Sequence, residues 1–157
     1  MNIKILVVFY LIAYSSIAQT FDETESWITR KSGGGQQVAY DESQGILLLL
    51  KVQHLSPTQI VTYITEIDPT AVNSIDVRYG KDGWNNVTLN FKTGGTNVKS
   101  YIFNKNNEII WGDPINTHMY GFDVNIETSR EQILKFKKAY IHLFKQLGVP
   151  VKDGDMF

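Results

Sequence analysis

The sequence predicts an α+β fold: a strongly bent antiparallel sheet or partial barrel of about seven strands, a short helix before it, and a long amphipathic helix packed on it at the C-terminus. Three observations carry this expectation. Alternating or continuous apolar runs rich in β-branched and aromatic residues recur roughly every 10 to 15 residues between turn signals, the pattern of a meander or small barrel. The segments between these runs are too short for the crossover helices that parallel strands need. The stretch after Ser129 then switches to helical periodicity and keeps it for five turns' worth of sequence before Gly148 and Pro150.

The chain opens on a leader. Lys4 gives a short positive segment, Ile5 to Ala13 is almost unbroken apolar sequence, and Ser16 and Ala18 place small residues where a signal peptidase reads. The run is shorter than the about 20 apolar residues that span a bilayer. The expectation is a signal peptide over 1–18, cleavage after Ala18, and a single globular domain over 19–157 with no transmembrane segment, exported to the periplasm or secreted. There is no cysteine near the cut to accept a lipid, nor any elsewhere in the chain. The domain therefore relies on packing without disulfides, and thiol catalysis and cysteine-based metal sites are excluded.

The first helix is expected over Glu23 to Lys31. Thr20 and Glu23 have capping-box spacing, and Phe21, Thr24, Trp27 and Ile28 share a face. Gly33-Gly34-Gly35 ends it. That run lacks the Lys-Ser/Thr of a phosphate loop and follows a helix, so it reads as a linker. Strand-like runs follow at Val38/Tyr40, Ile46–Val52, Ile60–Ile67, Ile75–Tyr79, Val87–Phe91, Val98–Phe103, Ile109–Trp111 and Phe122–Ile126. Between them, Asp41 to Gly45 reads as a hairpin loop, and Asp68-Pro69, Gly80 to Gly83, Thr93-Gly94-Gly95, Asn104 to Asn107 and Gly112-Asp113-Pro114 read as turns. The last helix starts from a capping box at Ser129/Gln132, or at Thr128/Glu131. Ile133, Phe136, Tyr140, Leu143, Phe144 and Leu147 form its apolar stripe, with Lys135, Lys138, His142 and Lys145 off it. A stripe with that much aromatic surface needs a sheet to cover it.

Short helix, about seven antiparallel strands and a closing C-terminal helix is the layout of pleckstrin-homology-like domains. In detail the chain resembles small, functionally uncharacterised exported bacterial proteins expected to have that fold. The resemblance rests on Glu23-Thr24-Glu25-Ser26-Trp27-Ile28, on Ile67-Asp68-Pro69 before a valine strand, and on Lys138-Ala139-Tyr140-Ile141-His142-Leu143. Where that pattern carries a cysteine near the end of the last helix, this chain has Gln146-Leu147-Gly148. The resemblance implies a fold and no agreed activity. The phosphoinositide site of true pleckstrin-homology domains does not transfer, since Asp41 and Glu42 stand where basic residues are needed.

Chemistry is sparse. The net charge of -1, or -2 without the leader's Lys4, gives no drive toward nucleic acid or anionic membranes. His54, His118 and His142 have no metal-ligand spacing, and no Gly-x-Ser-x-Gly elbow is present. The sequence assigns no catalytic residue, no metal and no cofactor. Asp41/Glu42 and Asp153/Asp155 are paired acids in loops, a weak basis for hydrolysis. Trp84, Trp111 and Tyr120, with Phe122, lie in or beside expected loops and are the candidate exposed recognition aromatics for a protein, glycan or small-molecule partner. Three readings stay open: an exported non-catalytic binding or interaction module, a small exported hydrolase with a carboxylate site, and a carrier of an apolar ligand. Replacing Ser16 and Ala18 together with leucine is expected to block leader removal. N-terminal sequencing of the exported protein checks this, and a normal mature N-terminus in the double variant overturns the assignment.

Overall fold

In the computed structural model, residues 20–32, 36–56, 59–79, 85–106, 108–124 and 129–154 are described. The leader, with Ser16 and Ala18, and the Gly33–Gly35 run lie outside them. Helix α1 (Phe21–Lys31) precedes strands β1 (Gln36–Asp41), β2 (Ile46–Ser56), β3 (Gln59–Ile67), β4 (Val72–Tyr79), β5 (Asn85–Phe91), β6 (Thr96–Phe103), β7 (Ile109–Thr117) and β8 (Met119–Val124). Helix α2 (Arg130–Gln146) and a two-residue β9 (Lys152–Asp153) complete the chain. The α+β class is present and each expected strand-like run overlaps a strand, although residues 125 and 126 of the last run lie outside the described residues and the described residues hold nine strands where about seven were expected.

Both helices begin where the sequence places their caps. Thr20 accepts from the Glu23 amide at 3.2 Å while the Glu23 carboxylate accepts from the Thr20 amide at 2.9 Å. Ser129 and Gln132 repeat the arrangement at 3.2 Å in both directions. Such boxes satisfy amides that the first turn leaves without partners. The expected hairpin loop after β1 is held by the Asp41 carboxylate, which accepts from the amides of Ser43 and Gln44 and from their side chains.

The expected single bent sheet or partial barrel is instead two open sheets among the described residues. One has the order β1-β2-β3-β6-β7 and the other β8-β5-β4-β9. The arrangement is not a meander, because β3 pairs with β6 and β5 with β8. The physical reason lies in the turns. After β3, Asp68 accepts from the Thr70 amide and hydroxyl at 2.8 and 2.7 Å, and Pro69 opens a 3-10 turn that carries the chain out of the first sheet. The β4–β5 hairpin starts the second sheet, and the chain returns at Thr93-Gly94-Gly95. Gly95 has φ +70, and a Cβ there would sit 2.8 Å from the Thr117 carbonyl oxygen, so the crossing demands glycine. The third crossing, at His118, takes one residue.

These crossings are bonded to one another. The Lys92 amide donates to the Ala71 carbonyl at 2.9 Å, the Lys92 ammonium to the Thr70 carbonyl at 2.6 Å, and the Phe91 amide to the His118 carbonyl at 2.9 Å. All three transitions between sheets meet at one corner.

Two further corrections concern β7 and the tail. Gly112-Asp113-Pro114, expected as a turn, runs on as strand to Thr117. Gly112 stands opposite Tyr101, whose ring would lie 2.6 Å from a Cβ at that position, so the glycine makes room for a ring and does not bend the chain. Pro114 fits because β7 is an edge strand and needs no outward amide. The tail adds the one parallel pairing among the described residues, β9 beside β4. It is tied to α2 by Lys137, which is buried on the helix and bonds both the Asp153 carboxylate and the Gly154 carbonyl. A buried ammonium is tolerated only when compensated in this way.

The core fills the space between the sheets and α2. Leu47, Ile67 and Val98 from the first sheet meet Ile75, Val77, Val87, Leu89 and Phe91 from the second, with Ile133, Phe136, Tyr140, Leu143 and Phe144 from the helix. Trp27 of α1 packs on Phe136 with ring centroids 5.2 Å apart. Phe136→Ala or Phe144→Ala is expected to destabilise the fold by about 3–5 kcal/mol, the usual cost of truncating a buried aromatic. Denaturant unfolding measures it, and an unchanged midpoint would show that α2 does not anchor the core.

Candidate functional site

Away from the corner the two sheets part, and a cavity of about 270 Å³ opens between them. Its floor is the inner face of β1, β2 and β3, which presents Gln36, Leu49, Lys51, Tyr63 and Thr65. Gln37 of β1, Leu50 of β2, Tyr120 and Gly121 of β8 and Tyr140 of α2 complete the lining. Strand register explains the grouping. Gln36 stands opposite Lys51 and Lys51 opposite Tyr63, while Leu49 stands opposite Thr65. With alternate residues on one face, these five necessarily share it. Part of the wall is buried, with Tyr140 1% exposed, Thr65 2% and Gln36 7%, while Lys51, Tyr63 and Tyr120 are half-buried.

A row of hydroxyls ties the two sheets across the cavity. Thr65 Oγ1 lies 2.9 Å from the Tyr120 hydroxyl and 3.3 Å from Ser100 Oγ, which stands opposite it on β6. Burial, and then the nearness of Tyr120, pushes the Tyr140 phenol well above its ordinary value. That ring therefore keeps its proton across the physiological range. The cavity thus offers hydroxyls and two amides, aromatic and aliphatic carbon, and one lysine side chain, Lys51. Neither a carboxylate nor a histidine is among its lining residues.

A second depression, of about 530 Å³, lies between α1, β1 and the end of α2 and carries Asp22, Glu25 and Glu42. Burial and the neighbouring Asp22 raise the Glu25 carboxyl. It is larger, but none of its lining residues is buried, and the inter-sheet cavity is the better-built site.

Tyr120 is half-buried on a strand, not exposed in a loop, and faces the cavity. Trp111 belongs to β7, in the strand-like run expected for it. Trp84 lies outside the described residues. His118 is exposed in the β7–β8 turn, and the His142 ring nitrogen lies 2.8 Å from the Gln146 amide. Among the described residues no group of three or more metal-ligating side chains converges, and no helix is long and apolar enough to cross a membrane. Sequence reading passed over Gln36, Lys51, Tyr63 and Thr65. Alternation within β1 and β3 was the available signal for a shared face, but only the pairing register places them side by side.

No protein-family model, no curated protein and no solved structure matches this chain.

Because Tyr140 holds its proton more tightly in the folded chain than in the unfolded one, its contribution is fully present below the ordinary tyrosine range. It is lost progressively as pH rises through and beyond that range. Melting temperature is therefore expected to fall on alkaline titration, and Tyr140→Phe to flatten that fall. Equal slopes for the two proteins would contradict the buried, protonated phenol.

Proposed function

We propose that this chain is an exported, non-catalytic binding module that holds a small molecule between its two sheets. The observation that supports the reading is the inter-sheet cavity, whose partly buried walls combine aliphatic and aromatic carbon with hydroxyl, amide and ammonium groups. A few convergent polar groups on an apolar wall fix a ligand's orientation without supplying an acid–base pair. In this reading the leader sends the domain to the periplasm or beyond, and the pleckstrin-homology-like layout is kept in its general sense of two sheets closed by a C-terminal helix. The strand order β1-β2-β3-β6-β7 departs from the consecutive order of a simple meander.

A second reading, an interaction module for a protein partner, is favoured by the edge strand β7. There Ile109, Ile110 and Ile115 are 62, 59 and 49% exposed. Exposed apolar edge strands are templates for pairing with another chain.

Native mass spectrometry of protein purified from its own host separates the two. Binding in the cavity is expected to give a bound small-molecule mass that disappears in Leu49→Trp, which fills the floor. A ligand-free monomer, with no loss of mass in the variant, would remove the ligand reading. A retained protein partner would favour the second.

A further inference from the structure

We propose that the outer face of the first sheet docks a second copy of this chain, the two sheets packing face to face about a twofold axis that runs along the strands between β3 and β6. The cavity opens on the other side of this sheet, at Leu49, Lys51, Tyr63 and Thr65, and plays no part in the contact. Strand register puts the intervening residues on the outer face. One row across it is Leu50, Ile64 and Tyr101, and the next is Val52, Thr62 and Phe103. A Cβ at Gly112 on β7 would meet the Tyr101 ring at 2.6 Å, so the glycine leaves room for that ring to lie against the strand. The Phe103 ring follows, 6.4 Å away between centroids. At this end of the face Val52 and Ile109 are exposed.

None of Leu50, Ile64, Tyr101 and Phe103 belongs to the core or packs against it. The helices pack elsewhere, α1 on β1 and α2, and α2 on β4 and β5. An apolar sheet face that its own fold leaves uncovered marks an interaction surface. Size and charge both point to the same chain as its cover. The strands run from 6 residues in β1 to 11 in β2. At about 4.8 Å per strand and about 3.3 Å per residue, the five-stranded face measures about 24 by 26 Å. Two copies together cover about 1,200 Å² in plan, the low end of a standard interface. Stacked sheets keep their strands within about 30° of each other, so the two faces overlap over most of that area. Beside Leu48 the face carries Glu66 and Lys99, paired across β3 and β6 at 3.8 Å. An axis along the strands between β3 and β6 sets Glu66 over the second copy's Lys99, and Lys99 over its Glu66. One acid and one base thus make the face complementary to itself, with no like charges meeting. Lys99 is not part of a basic cluster that would hold this face on anionic lipid.

Sedimentation velocity of the full exported chain, from about 1 to 100 µM, covers the weak end expected of an interface this size. The chain is expected to pass from monomer to dimer across that range. Ile64→Asp sets a charge at the centre of the face and should abolish the dimer. Glu66→Lys and Lys99→Glu should each weaken self-association by about tenfold or more, because two like charges then face two. An equimolar mixture of these two variants should dimerise again. Lys99 is 53% and Glu66 27% exposed, so losing their ion pair costs the fold little, and thermal melting verifies it. Should Ile64→Asp fail to fold, the two charge variants and their mixture decide. A monomer at every concentration, a dimer that survives Ile64→Asp, or a mixture that stays monomeric overturns the assignment. So does a monomer that floats with phosphatidylcholine vesicles, which would give the face to a lipid surface.

Discussion

The corner where the chain passes between its sheets governs the rest of this structure. Backbone that leaves one sheet for another gives up its ladder partners, and a buried amide or carbonyl without a partner is costly. Here the three crossings supply one another's partners: Lys92 bonds Ala71 and Thr70, and Phe91 bonds His118. Gly95 allows the second crossing to lie against Thr117 at the third. Because the sheets are fastened at that corner, their relative placement follows from local hydrogen bonds as well as from side-chain packing.

A wedge between two sheets must be filled near its apex and becomes harder to fill as it widens. Apolar residues occupy the narrow part, and α2 brings Phe136, Tyr140 and Phe144 into it. Where the first sheet continues beyond that filling, its inner face turns polar and the cavity begins. The Thr65–Tyr120 hydrogen bond spans the transition. The helix is itself held at its outer side, since buried Lys137 binds a tail that extends the second sheet by one short parallel strand. A helix, two sheets and a tail thus stabilise a cavity that no single element forms.

The physical limits of sequence reading show at particular residues. Helix caps and hairpin loops depend on neighbours within a few positions, so Thr20/Glu23, Ser129/Gln132 and Asp41 were legible. Gly112 and Pro114 misled, because the same residues serve a turn or an edge strand beneath an aromatic ring, and only the partner strand distinguishes the two. Tyr120 was legible as an aromatic of interest but not as a cavity wall. Lys137 lies beside the apolar stripe of α2, and its burial depends on a tail sixteen residues downstream, Asp153.

By itself the sequence determined the two helices and the apolar centres of β1 to β8, which helix face is apolar, and the absence of cysteine chemistry, since periodicity, capping and composition are local properties. Tertiary structure decided that there are two sheets, that β3 pairs with β6 and β5 with β8, and that Gln36, Lys51, Tyr63, Thr65, Tyr120 and Tyr140 surround one cavity. Those outcomes depend on strand register and on crossings between residues far apart in the chain. Alternation says which residues share a face of a strand; only pairing says which faces meet.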